Sequence, residues 1–169
     1  MIYTCQINTT LGEIVAAAEN DALIGLWFIG QKHYPSWIND LPQKHDYPVF
    51  DLLRGWLDDY FAGKNPKINI TLNPRGTDFQ KSVWDALLHI PYGQLTTYGE
   101  IAKSLNCVSA RAIGGAVGRN PISIIIPCHR VIGASGGITG YAGGIDKKQS
   151  LLKIENITEL KIMTSPNYY

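Results

Sequence analysis

The residue pattern changes character at Asn73-Pro74-Arg75-Gly76, and this change constrains the fold more than any other feature of the sequence. Before it, three short runs (2–8, 13–18 and 22–29) have strand composition, and Glu19-Asn20-Asp21 offers turn chemistry between the second and third. Residues 30–47 read as a polar loop spotted with aromatics. A helix follows: Val49, Leu52, Leu53, Trp56, Leu57, Tyr60 and Phe61 recur at helical spacing, with Asp46 as a cap, Pro48 in the first turn and Gly63 as the stop. Lys67–Leu72 alternates as a strand would. After the Pro/Gly boundary the periodicity is helical. The expected fold is therefore α+β, with a small N-terminal α/β subdomain over 1–75, a mainly helical subdomain over 76–157 and a tail over 158–169.

In the second part Phe79, Val83, Leu87 and Leu88 line one face of a helix over about 78–89, and Pro91-Tyr92-Gly93 makes a turn. Thr97 and Glu100 have capping-box spacing, so a short helix starts at Tyr98 and runs to 105 with Ile101, Ala102 and Leu105 inward. Ser109 can cap a second helix, 110–118. Two short helices joined this way suggest a helix-turn-helix, although many helical subdomains hold such a pair without touching DNA. Residues 122–126 read as an extended buried segment, a glycine-rich loop follows, and a last helix begins after Asp146 and runs to about Glu155.

Composition limits the function classes. Charged residues make up 17% of the 169 positions and the net charge is +1, so DNA binding would need a local patch and a shaped surface rather than a basic coat. Cys5, Cys107 and Cys128 are too few for a disulfide framework and show no CxxC spacing, which suggests a reducing, cytoplasmic setting. No apolar run is long enough to span a membrane and no signal peptide is evident at the N-terminus.

Two features carry chemistry. Arg111, Gly114, Gly115 and Gly118 form one stripe of the 110–118 helix, and Ala112, Ile113, Ala116 and Val117 form another that suits a core. Interior glycines weaken a helix, and a stripe of them serves either tight helix packing or close approach of a DNA backbone. The second feature is Ile126-Pro127-Cys128-His129-Arg130-Val131. A thiol beside His129 and Arg130 can be activated as a nucleophile, because neighbouring cations favour thiolate. The alternatives are a buried structural cysteine or a cysteine hydrolase. The adjacency disfavours a hydrolase, which draws its histidine from elsewhere in the sequence. Glu155 is the carboxylate best placed by sequence to orient the imidazole.

Pro127-Cys128-His129-Arg130-Val131 resembles the active-site signature of the methylated-DNA–protein-cysteine methyltransferases, or O6-alkylguanine-DNA alkyltransferases. Gly76-Thr77-Asp78-Phe79-Gln80, Ile90-Pro91-Tyr92-Gly93, Thr97-Tyr98, Ala110-Arg111-Ala112-Ile113-Gly114-Gly115-Ala116, Arg119-Asn120-Pro121 and Gly140-Tyr141-Ala142-Gly143-Gly144 follow the family in order and spacing. The likeness covers about 76–156; residues 1–75 share only the strand-then-helix layout.

The resemblance implies a ribonuclease-H-like N-terminal subdomain and a winged-helix-like catalytic subdomain. It implies direct-reversal repair of double-stranded DNA containing O6-alkylguanine, with one irreversible transfer per molecule; the sequence does not settle O4-alkylthymine as a further substrate. Cys128 would accept the alkyl group, His129 would take the thiol proton through a water, Glu155 would orient His129, and Asn120 would support the preceding turn. Tyr98 would stand against a phosphate, and Arg111 would fill the gap left by the flipped nucleotide, with Gly114, Gly115 and Arg119 at the DNA. The glycine-rich loop would wrap the base, with Val131, Tyr141, Ala142 and Gly143 lining its pocket; some relatives have serine at the position of Ala142. Some members hold zinc in the N-terminal half, but Cys5 has no second cysteine nearby, so neither metal nor cofactor is expected. The protein is expected to be a monomer.

Overall fold

The computed structural model describes residues 1–158; the expectation for the 158–169 tail lies, beyond Thr158, outside the described residues. The chain forms two compact units. One comprises Met1–Arg75 together with Pro121–Ser123, and the other comprises Gly76–Asn120 and the described chain from Ile124 to Thr158.

The first unit is built on an antiparallel sheet of β1 (Ile2–Thr9), β2 (Gly12–Glu19) and β3 (Ala22–Phe28), in that order. Asn20 and Asp21 both have positive φ (50° and 62°) and join β2 to β3 in a two-residue turn, a conformation that Asn and Asp tolerate and that matches strand twist. The β3 strand is buried at all seven positions rather than at alternate ones, because both faces of the sheet are covered. On one face Val15, Ala17, Ile24 and Trp27 pack with Ile38, which the 30–47 loop delivers on a short 3-10 turn, Ser36–Asp40. Gly25 lets the Trp27 indole lie flat across the strand: a Cβ there would sit 1.8 Å from the ring. Helix α1 (Pro48–Phe61) packs against β2 with Val49, Phe50, Leu53, Trp56, Leu57 and Tyr60 buried.

Three expectations for this half need correction. Asp46 does not cap α1: Tyr47 is the N-cap, it makes no side-chain cap bond, and Pro48 opens the helix. Leu52 is exposed (45%), on the outer side of the helix. Residues 67–72 do not form a strand. The free edge of β3 is divided between two short partners, Leu72 beside Leu23 and Ile122 beside Leu26, so the rest of 67–71 has no strand to pair with.

The second unit is mainly helical: α2 (Asp78–Leu88), α3 (Tyr98–Ser104), α4 (Ala110–Gly118) and α5 (Ile145–Ile154), with a two-stranded parallel pairing of β4 (Thr96–Thr97) and β5 (Val131–Ile132). Thr77 and Gln80 close a full capping box on α2. Phe79 is exposed and Trp84, buried, takes its place in the core; its indole N–H donates to Ala116 O at 2.8 Å and ties α2 to α4. The Thr97 hydroxyl accepts from the Glu100 amide, while the Glu100 carboxylate accepts from the Thr96 hydroxyl instead of closing the box. Asn106, at φ 53°, ends α3 in a Schellman motif, with Cys107 N bonded to Ala102 O and Asn106 N to Lys103 O. Ser109 then caps α4, and the pair packs as a helix-turn-helix. Ala112 is exposed; the core stripe of α4 is Ile113, Gly114, Ala116 and Val117.

The 122–126 run is buried but not extended throughout. After Ile122 it turns, with Ile124 at φ 73°, a conformation a β-branched residue rarely adopts. Helix α5 starts at Ile145, one residue earlier than Asp146, from Gly144 at φ 104°.

Candidate active site

The turn that presents Cys128 is assembled from its own backbone. Pro127 (φ −83°, ψ 62°) sits at the centre of an inverse γ-turn closed by Cys128 N to Ile126 O at 2.8 Å. One turn of 3-10 helix, Cys128–Arg130, follows and runs into β5. Consecutive residues on such a tight turn diverge by about a third of a rotation, which sends Cys128, His129 and Arg130 to different neighbours. Asn120, 3% exposed and just past the end of α4, donates from Nδ2 to Ile126 O (2.8 Å) and to Cys128 Sγ (3.1 Å). One amide thus fixes both the turn and the sulfur it presents.

His129 is fully buried, and its Nε2 meets Glu155 Oε2 at 2.6 Å. Glu155 is placed by its position as C-cap of α5. Asn156 (φ 65°) and Ile157 complete a Schellman motif there, bonding Lys153 O and Leu152 O. Its other oxygen accepts from Arg130 Nε (2.8 Å) and from the amide of Gly93 (2.9 Å). Gly93 has φ 77° at the third position of the turn from Pro91 to Gln94. Arg130 also donates to Ile90 O at 2.6 Å and lies over the Tyr92 ring.

These contacts set the protonation states. Burial by itself would raise the Glu155 carboxyl, but His129, Arg130 and the Gly93 amide together hold it down to about 2. An ionised carboxylate only accepts, so His129 carries its proton on Nε2. Burial pushes the imidazole below its ordinary value, Glu155 opposes this, and Arg130 and Lys148 add to it. The imidazole is therefore neutral, with its Nε2 proton directed at Glu155. Burial also pushes the Cys128 thiol up; Asn120, Lys148, the Cys128 backbone and Tyr141 pull it down without overcoming this. The expected activation by His129 and Arg130 is thus corrected. His129 is neutral and, like Arg130, is committed to Glu155, and the groups that favour the thiolate are Asn120, Lys148 and Tyr141.

The structure brings Cys128, His129, Glu155 and Asn120 together, with Val131 next on β5. Tyr141 comes close enough to influence the thiol, while Ala142, Gly143 and Tyr141 are half-buried in the glycine-rich loop. Tyr98 is buried at the start of α3 and its hydroxyl sits 3.1 Å from that of Thr139, in the same loop. Arg111 and Arg119 are exposed at the two ends of α4. Gly115 is half-buried with open space where a side chain would stand, whereas Gly114 is buried with the core stripe. Lys148 was not anticipated. It is fully buried, and its Nζ donates to Val131 O at 2.6 Å. Its signal was present: Lys148 shares the inward stripe of α5 with Leu151, Leu152 and Glu155, where a lysine has no place unless it is paired. Among the described residues no cluster of three or more His, Cys, Asp or Glu could hold a metal, and all three cysteines are free.

A small sheet-and-helix unit is joined in sequence to a helix-turn-helix unit that buries a thiol beside a histidine–carboxylate pair, the class of protein that carries a nucleophilic-thiol site on a helix-turn-helix scaffold. Two family models match, described as the ribonuclease-like domain of 6-O-methylguanine DNA methyltransferase (residues 1–74) and its DNA-binding domain (78–157). A methylated-DNA–protein-cysteine methyltransferase of Methanosarcina acetivorans is 59% identical over 159 residues, covering 91% of this chain and 98% of that one. One from Mycobacterium bovis is 45% identical over 156 residues, covering 92% and 93%. The crystal structure of the Mycobacterium tuberculosis OGT in complex with DNA superimposes with a TM-score of 0.81 at 42% identity, covering 90% of this chain and 92% of that chain. The chain belongs to the methylated-DNA–protein-cysteine methyltransferase family, and its reaction is direct-reversal repair by alkyl transfer to a cysteine.

Proposed function

We propose that Cys128 is the acceptor, and that the protein moves a methyl or other alkyl group from O6 of guanine in double-stranded DNA onto its own sulfur, once per molecule. The observation that carries this is the buried array Asn120–Cys128 and His129–Glu155, with sulfur, base and carboxylate each held by hydrogen bonds. The thiol proton passes through a water to Nδ1 of His129, and Glu155 stabilises the resulting imidazolium. The new S–C bond forms as the C–O6 bond breaks, and the bonding pair moves into the purine. The purine gains a proton at N1, which matches the one the thiol lost, so the reaction balances without another reactant.

The reactive carbon is inaccessible in stacked DNA, so the nucleotide must leave the helix. Arg111, exposed at the head of α4, fills the gap it leaves, and Gly115 and Arg119 belong to the helix surface laid on the duplex, Gly114 being buried with the core stripe. The crystal structure of the M. tuberculosis relative with DNA supports DNA binding. Val131, Tyr141, Ala142 and Gly143 line the base pocket, with Ala142 acting through its backbone amide. Tyr98 meets the phosphate by turning its hydroxyl away from Thr139. Three free cysteines fit a reducing compartment, and we read the protein as a cytoplasmic monomer. Intact mass after mixing with a duplex containing O6-methylguanine tests the reading. One methyl replacing one hydrogen on the Cys128 peptide, and no gain in Cys128→Ser, is expected. A methyl found on Cys5 or Cys107 overturns it.

A further inference from the structure

Lys148 is fully buried yet takes no part in the relay from Cys128 through His129 to Glu155. It lies in the first turn of α5, where its amide bonds Gly144 O at 3.1 Å. Its ammonium donates to Val131 O at 2.6 Å and reaches Gly140 O at 3.4 Å. Val131 is on β5 and Gly140 is in the return arm of the glycine-rich loop, so one side chain ties the two arms between which a base would sit.

The charge of this ammonium needs an explanation, because a buried cation is expensive without a partner. The groups that face the site are Glu155 on the same helix, Cys128, His129 and Arg130 on the 3-10 turn, Tyr141 on the loop and Asn120 after α4. Glu155 is engaged by His129, Arg130 and Gly93. His129 is neutral, and Arg130 is a cation already paired. The Cys128 sulfur, on the 3-10 turn against which α5 packs and three residues before the carbonyl that Lys148 holds, remains as the group that can carry the matching negative charge. Burial draws the lysine down to about 8, and Cys128 is the group that opposes this; Lys148 in turn favours the Cys128 thiolate.

We propose that Lys148 is a positioning residue for the transfer, holding Val131 and Gly140 at the spacing of the base pocket and serving as the counter-charge of the Cys128 thiolate. The proposal rests on Cys128 as the reacting sulfur, and it separates charge from shape. A lysine kept only for packing would be replaced by an unbranched apolar chain with no effect on the thiol.

The test is the rate of Cys128 modification by iodoacetamide against pH, read by mass on the Cys128 peptide, for wild type, Lys148→Met and Lys148→Arg. Without the ammonium the profile should move to higher pH, giving about tenfold slower modification at a fixed pH near 8, which corresponds to one pH unit. The arginine variant should keep the profile close to wild type while slowing transfer from methylated duplex, since the planar fork cannot reproduce the two carbonyl bonds. A profile that does not move in a folded Lys148→Met protein overturns the proposal, whatever the transfer rate does. If that variant fails to fold, NMR titration of lysine Cε in the wild type decides. Converting Cys128 to a neutral thioether with iodoacetamide should lower the pH at which Lys148 titrates, and an unchanged titration overturns the pairing. Failure of wild type to gain a methyl from DNA would instead refute the acceptor reading, independently of Lys148.

Discussion

At the scale of single residues, Glu155 does the most with the fewest atoms. Its two oxygens accept from an imidazole, a guanidinium and a backbone amide, and it is ionised at any pH the protein meets. The carboxyl at about 2 in the folded chain lies below its ordinary 4.5, so the native state binds fewer protons than the unfolded one. Its contribution to stability is complete above pH 4.5 and is lost as the pH falls toward 2. The shift is worth at most about 3 kcal/mol. Glu155→Gln should therefore be less stable than wild type by up to that amount at pH 7, and nearly equal to it at pH 2. The same variant should transfer more slowly, because an amide cannot balance the imidazolium. Denaturant unfolding at the two pH values checks the first part, and an equal gap at both would show that Glu155 acts there only by packing.

At the scale of elements, the helix-turn-helix sets what the duplex can touch. Helix α4 has three glycines, and their placement differs: Gly114 is buried against the unit's own core, while Gly115 opens to solvent with space beside it. Packing therefore accounts for Gly114, and Gly115 is the position that leaves room for the DNA approach proposed above. Arg111 stands exposed at the start of that helix. Arg111→Ala should slow repair of methylated duplex roughly ten- to a hundredfold, since an extrahelical nucleotide forgoes a few kcal/mol of stacking. Reaction with free O6-benzylguanine, which needs no flipping, should change little. Single-turnover rates on the two substrates compare them directly, and equal losses would remove Arg111 from the flipping step.

Local chemistry explains which elements were legible in the sequence. The Thr97 and Ser109 caps, the Asn20-Asp21 turn and the periodicity of α1 and α4 act over a few residues, and the structure has them. Residues 67–72 alternate correctly, but a strand exists only where another strand offers an edge, and β3 divides its edge between Leu72 and Ile122. That pairing joins residues far apart in the chain and leaves no local signal. The site divides the same way. Cys128, His129 and Glu155 stood out by type and spacing, whereas Lys148 is informative only once its burial is known. The direction of the Cys128 shift also depends on burial, which adjacency to His129 and Arg130 cannot report.

At the scale of the whole molecule, the family match covers nearly all the described chain, and none of its helices is long and apolar enough to cross a membrane. Both compact units belong to one repair protein, and the chemistry proposed for it has a definite end. The product sulfur bears two carbons and no acidic proton. Water attacks such a carbon poorly, and His129 and Glu155 are arranged to remove a thiol proton that is no longer there. Each molecule should therefore repair one lesion. A limiting, counted amount of protein titrated with excess O6-methylguanine duplex measures this most directly. The account predicts that guanine formation stops at one equivalent, with the methyl recovered on Cys128. Product accumulating steadily beyond one equivalent would contradict it.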